Sequence, residues 1–229
     1  DAMVVQLRKR ASRWLEGTLA YAWAHTIDTN QGAGANNYIY GNTPRTLFNG
    51  DYLGEKESSE LDQRHRLVLT SILTPRFTAS DSLAARLLIN NWQLSQITTI
   101  ASAQFATPTV FVSGAPFPGA AYNTTLNGLG GSSRVPFLRR SSLPIDETYR
   151  VDARLSKLLP FRERYRVYLN FEAFNVFNTI SNTSVLTQAY QAVNRVLTPV
   201  ARLGEGSASA GFPDGTNARR AQVSLRLVF

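Results

Sequence analysis

The 229-residue sequence has no cysteine, a low charge content and no long apolar run. Without cysteine there is neither a disulfide framework nor a thiolate metal site, and the compartment has to be inferred from other features. Charged residues make up 17% of the chain, below the roughly 25% of soluble domains, which implies that part of the surface does not meet water. No apolar stretch approaches the roughly 20 residues of a membrane helix. The opening "DAMVVQLRKR" has neither the basic n-region nor the apolar h-region of a signal peptide. Either the protein is not exported or this chain starts downstream of the true N-terminus.

Lys and Arg total 24 against 16 Asp and Glu, a net charge of +8. The basic residues are scattered, with the densest groups at Arg8–Arg10 and Arg139–Arg140, so no nucleic-acid partner is expected. The two histidines, His25 and His65, have no second His or Cys at ligand spacing, which predicts no metal site. "GLGGSS" at Gly128–Ser133 lacks the lysine and the strand-to-helix context of a phosphate loop, and no G-x-S-x-G nucleophile motif occurs. No cofactor and no catalytic residue is predicted, and the chain reads as a non-enzyme.

What the sequence does contain is period-two alternation, while helical spacing is hard to find. Tyr149, Val151, Ala153 and Leu155 oppose Arg150, Asp152, Arg154 and Ser156. Tyr165, Val167, Leu169, Phe171 and Ala173 oppose Arg166, Tyr168, Asn170 and Glu172; Val223, Leu225, Leu227 and Phe229 oppose Ser224, Arg226 and Val228. Met3, Val5 and Leu7, then Leu19, Tyr21, Trp23 and Ile27, then Leu67, Leu69 and Leu73 continue the pattern. In "NWQLSQITTIASAQF", Trp92 and Leu94 share one parity and Ile97 the other, which predicts a β-bulge. The expected fold is all-β, an antiparallel up-and-down meander of about seven strands of roughly 10 to 14 residues, lengths suited to a tilted bilayer crossing.

Short links at Ala11–Trp14, "PRFTASDSLAAR" and Leu159–Arg164 alternate with long ones at Thr29–Asp62, Pro108–Thr148 and Asn178–Ala218. That matches a barrel with short periplasmic turns and long extracellular loops. Aromatics near strand ends, Tyr21, Trp23, Tyr149, Tyr165 and Phe229, fit interfacial girdles. The competing fold is a soluble β-sandwich, whose strands also alternate but bury the apolar face against a second sheet.

The segments "VVQLRKRASRWLEGTLAYAWAHTID", "LDQRHRLVLTSIL", "NWQLSQITTIASAQFATP", "YRVDARLSKLLPFRERYRVYLNFEAFNVFN" and "ARRAQVSLRLVF" resemble the C-terminal barrel strands of TonB-dependent outer-membrane receptors. They are most similar to the Oar-like branch, which carries a carboxypeptidase-regulatory-like N-terminal domain. The resemblance covers most of the chain outside its three long loops. It implies that residues 1–229 are the C-terminal part of a 22-stranded transmembrane β-barrel, with plug and N-terminal domains absent, and an open curved sheet if alone. It also implies location in the bacterial outer membrane and uptake, or export, of a bulky or scarce solute. The implied partners are outer-membrane lipid, the plug domain, the TonB complex acting through the absent N-terminal part, and the barrel assembly machinery. Phe229 resembles the C-terminal signal which that machinery reads.

Arg150, Asp152, Arg154, Arg166, Glu172 and Arg226 cannot face lipid, where Arg or Lys at mid-depth costs about 2–4 kcal/mol, so they are expected on the lumen wall. Cross-strand ion pairs between "YRVDAR" and "YRVYLNFEAF" are expected there. In the resembled family, ligands contact the extracellular loops and plug apex, which makes Thr29–Asp62 and Pro108–Thr148 the candidate loops. A soluble carbohydrate- or protein-binding module and an outer-membrane barrel hydrolase are the alternative functions.

Overall fold

The computed structural model describes residues 1–12, 14–29, 53, 56–115, 117, 118, 126, 134–161, 165–207 and 218–228. Seven strands form one sheet: β1 (Ala2–Lys9), β2 (Leu15–Ala24), β3 (His65–Leu73), β4 (Trp92–Ala101), β5 (Thr148–Phe161), β6 (Tyr165–Phe174) and β7 (Arg220–Val228). They pair in chain order, and every pair is antiparallel. This is the predicted meander. Among the described residues no helix is long and apolar enough to cross a membrane.

Register turns the alternation of each strand into two continuous faces. Leu15, Leu73, Leu94, Leu155, Phe171 and Val223 stand opposite one another from strand to strand, forming one apolar row across six strands. One residue along, Glu16, Ile72, Ser95, Arg154, Glu172 and Gln222 form a row on the opposite face. Because side chains alternate strictly, slipping one strand by one residue would exchange its faces; mixing charge with leucine in this way is what fixes the register.

Among the described residues no second layer covers the apolar face. Val223 is 65% exposed, Leu225 70% and Leu227 54%, and Leu94, Leu155 and Phe171 are exposed as well. A sandwich would bury these side chains, so that fold is excluded. An uncovered apolar band of this extent is a surface made for lipid.

Two expectations need correction. β4 holds an unbroken register with both neighbours, so there is no bulge. Ile97 simply lies on the polar face, opposite Asp152 and Thr70, where one isoleucine costs less than an interrupted ladder. Ile27 is not part of β2: it forms a two-residue ladder, Ile27–Asp28 with Glu57–Ser58, beyond the end of the wall. The short link between β3 and β4 contains a helical turn at Ala85–Ile89. Phe229 lies outside the described residues.

All long connections leave the same end of the sheet, and their described parts assemble into a second structure there. Thr109–Ser113 pairs parallel with Gln188–Val193, which pairs antiparallel with Val196–Pro199. Behind this small sheet is a core of Val110, Val112, Val135, Ala189 and Ala192, against which Leu138 and Tyr190 pack. Gly114 makes the closing turn at φ 77°, and a Cβ there would stand 2.2 Å from Asn194 Oδ1, which accepts the Ala115 N–H at 3.1 Å. Arg139 and Arg140, which read in sequence as a basic pair, act as a clamp. Arg139 donates to Glu57 Oε1 at 2.8 Å, while Arg140, 2% exposed, pairs with the Asp28 carboxylate and donates to Asp28 O at 2.8 Å.

Val135 has no exposed surface, and truncating it to alanine removes about two methyl groups and leaves a cavity, a cost of about 2 kcal/mol. If the long-loop assembly opens as its own unit, Val135→Ala speeds its protease nicking roughly 30-fold while the wall unfolds at an unchanged temperature. Limited proteolysis of the full-length protein in detergent, beside its thermal melt, checks both outcomes.

Candidate functional site: the polar face and its long-loop mouth

β5 and β6 contribute most of the charge. Arg150 is 7% exposed, and its Nε donates to both oxygens of Asp152, at 3.0 and 3.1 Å. Asp152 Oδ1 also accepts the Asn175 backbone N–H at 2.8 Å. Asn175 closes β6 at φ 51°, a left-handed conformation that asparagine tolerates, and its side chain accepts the Thr179 N–H at 3.0 Å and donates to Thr179 O at 2.9 Å. Asn178 repeats the left-handed conformation at φ 55°. The doubled Phe-Asn of "FNVFN" is therefore a strand terminator fastened to the Arg150–Asp152 pair.

Further along the same face, Glu172 is 8% exposed and joins three strands. It pairs with Arg154 across β5 and β6, and Gln222 Nε2 of β7 donates to its second oxygen at 2.7 Å. Asn170 Nδ2 donates to Ser224 Oγ at 3.2 Å one step on. Arg226 stands opposite Tyr168, and Arg166 opposite Val228, towards the short-turn end. By register, all six residues expected on one wall, Arg150, Asp152, Arg154, Arg166, Glu172 and Arg226, share a face. The Arg154–Glu172 contact is a cross-strand ion pair of the expected kind, whereas Arg150 pairs along its own strand.

Where this face meets the long-loop end it opens into a cleft of about 450 Å³, with Arg66, Thr99, Arg150, Asp152, Asp146 and Asn182 among its walls. Asp146 shapes that mouth by accepting both the backbone and side-chain N–H of Asn182, at 3.0 and 2.9 Å. The cleft thus presents both donors and acceptors, with its most buried arginine already paired. Such a wall hydrates well and can exchange hydrogen bonds with a polar solute without trapping it by charge. Asp146 and Asn182 escaped the sequence reading because their proximity depends on loop closure, for which local alternation carries no signal; Arg66 stands on β3, where alternation gives its face but not its place in the cleft.

The rim is held by one further group. Asp62, 4% exposed, accepts the Thr26 N–H at 2.9 Å and Arg64 Nη2 at 3.0 Å. Burial alone would raise this carboxyl, but the Thr26 and Arg64 hydrogen bonds, with the nearby positive charges, outweigh it and hold Asp62 below its ordinary value of 3.8. Its contribution to stability is therefore complete above about pH 3.8 and is lost as pH falls through the lower folded value. Exchange of the Thr26 amide, corrected for intrinsic rate, should accelerate only in that acid range, and Asp62→Asn should abolish the pH step.

On the wall, Glu172→Ala removes the acceptor shared by Arg154 and Gln222. Arg154 is half-exposed and rehydrates, so the expected loss is about 1–2 kcal/mol. Arg154→Ala and the double variant complete a cycle whose non-additivity, read from unfolding in detergent micelles, measures the pair.

No curated protein and no solved structure matches the chain. A family model described as an outer membrane beta barrel domain matches residues 1–194, which include β1 to β6 and part of the long-loop sheet. The match agrees with the uncovered apolar face and with the alternation of short turns and long connections. The chain belongs to the outer membrane beta barrel family, and it is a protein of the bacterial outer membrane.

Proposed function

We propose that this chain is an arc of barrel wall, with its extracellular loops, from a TonB-dependent receptor of the Oar-like kind, moving a bulky or scarce solute across the outer membrane. The observation that carries the reading is the lopsided polar face. Its ion pairs and hydrogen bonds are concentrated on β5 to β7, and a mixed polar cleft opens under a packed loop assembly. A simple pore needs only a hydrated wall, whereas a receptor needs a shaped mouth and a face that can grip a plug. The openness of the sheet also favours a larger barrel: β1 and β7 are its outer strands, and an unpaired strand edge is not tolerated in lipid. In this reading Arg150, Asp152, Arg154, Arg166, Glu172 and Arg226 face the lumen, and lipid meets the leucine row.

The plug, the energy-transducing complex and the assembly machinery are then partners of the whole protein, the last reading Phe229 in the sequence that follows β7. The chain acts as a conduit, and its residues do no covalent chemistry.

The test uses the full-length gene product in detergent and in planar bilayers. It is expected to bind the periplasmic domain of TonB and to show no steady conductance until its plug is displaced. A constantly open pore without TonB binding would overturn the receptor reading in favour of passive diffusion. Release of fatty acids from vesicles, abolished by His25→Ala, would favour the hydrolase.

A further inference from the structure

The link from β3 to β4 contains a helical turn, Ala85–Ile89. Ser82 Oγ opens it by accepting the Ala85 N–H at 3.2 Å, and the Arg86 N–H returns to Ser82 O at 3.0 Å. Asn90, 6% exposed, locks the preceding chain against it: its Oδ1 accepts the Phe77 and Thr78 N–H groups at 2.9 and 3.1 Å, and its Nδ2 donates to Thr78 O at 2.8 Å. The turn is thus a fixed body, yet it leaves Leu83 67%, Leu88 72% and Ile89 47% exposed.

Its attachment gives it an orientation. Trp92 and Lys157 are register partners on the apolar face of the wall, in step with Leu94 and Leu155. Trp92 Nε1 donates to Leu88 O at 3.1 Å. The Lys157 ammonium lies 4.8 Å from the Trp92 ring centre, donates to Arg86 O at 3.4 Å and also reaches Asn90 O. A lysine on a lipid-facing row is therefore only 3% exposed, covered by the carbonyl end of the turn. On its other side, Arg76, Asp81 and Arg86 join Gln93, Ser156 and Tyr168 of the polar face around a cavity of about 520 Å³. The turn straddles the rim, with charge on the polar side and carbonyls gripping the membrane side.

We propose that Ala85–Ile89 is an interfacial membrane anchor, with Leu83, Leu88 and Ile89 inserted among phospholipid acyl chains of the leaflet at the short-turn end. The exposed apolar residues adjoin the lipid band, because the Leu88 carbonyl is bound by Trp92 at the end of the apolar face, and the segment has the apolar side and the charged side of an in-plane amphipathic element. The occupant is bilayer lipid, and the anchor depends only on the chain being outer-membrane wall. It also accounts for Lys157, whose charge is held by turn carbonyls and hidden from the lipid.

This chain has no cysteine, so a single substitution places one fluorescent label in it once any cysteine elsewhere in the full-length protein is replaced by serine. Leu88→Cys and Asp81→Cys, labelled with bimane and reconstituted in phosphatidylcholine vesicles, are compared with quenchers in each phase. The Leu88→Cys label should be blue-shifted, lose most of its emission to shallow doxyl-labelled lipid and resist iodide; the Asp81→Cys label should do the reverse. Equal iodide quenching of both labels would overturn the proposal. So would a Leu88→Cys label shielded from iodide yet blind to doxyl lipid, because protein rather than bilayer would then cover the turn. A combined Leu83→Ser, Leu88→Ser and Ile89→Ser variant should insert more slowly into vesicles, and unchanged insertion would count against the anchor.

Discussion

The whole structure depends on one constraint: a backbone crossing hydrocarbon must satisfy every N–H and C=O within the protein. An antiparallel ladder does so with strands, and its strict period of two then assigns every side chain to one of two solvents. The row from Leu15 to Val223 and the row from Glu16 to Gln222 are two readings of the same ladder, one residue apart. The unbroken register of β4 follows as well. Moving Ile97 off the polar face would have required a bulge and unpaired backbone groups, and one misplaced isoleucine is the smaller penalty.

How the two faces are stabilised differs. The apolar face needs no specific contacts, since lipid accepts any leucine. The polar face is cross-linked: Glu172 ties β5, β6 and β7 together, and Asp152 ties β5 to the end of β6. Half-buried charge in a hydrated wall is worth little pair by pair. Its value lies in geometry, because each contact closes only when adjacent strands hold the observed register.

The wall was legible in the sequence because its information is local. Tyr149 to Ser156 and Tyr165 to Ala173 announce their faces by alternation alone, and the three long connections announce which end is which. The long-loop assembly was not legible. Its core unites Val110 and Val112 with Val135, Ala189 and Ala192, from loops separated by two full strands, and none of those short apolar groups exceeds what an ordinary loop contains. Arg140 illustrates the same limit, since its clamp on Asp28 appears only when loops distant in sequence meet. The helical turn was hidden differently: "SLAARLLIN" is too short for periodicity to separate a helix from a buried strand.

The parallel pairing of Thr109–Ser113 with Gln188–Val193 has a consequence for the order of assembly. The two segments lie on either side of the β5–β6 hairpin, so their ladder has a high contact order and a long loop to close. β5 and β6, joined by a short turn, can meet early through local contacts. The small sheet can close only once that hairpin has brought both segments to the same end of the wall. Its completion therefore reports that the neighbouring wall has reached its final register, and the molecule carries at its long-loop end a late-forming record of correct wall assembly.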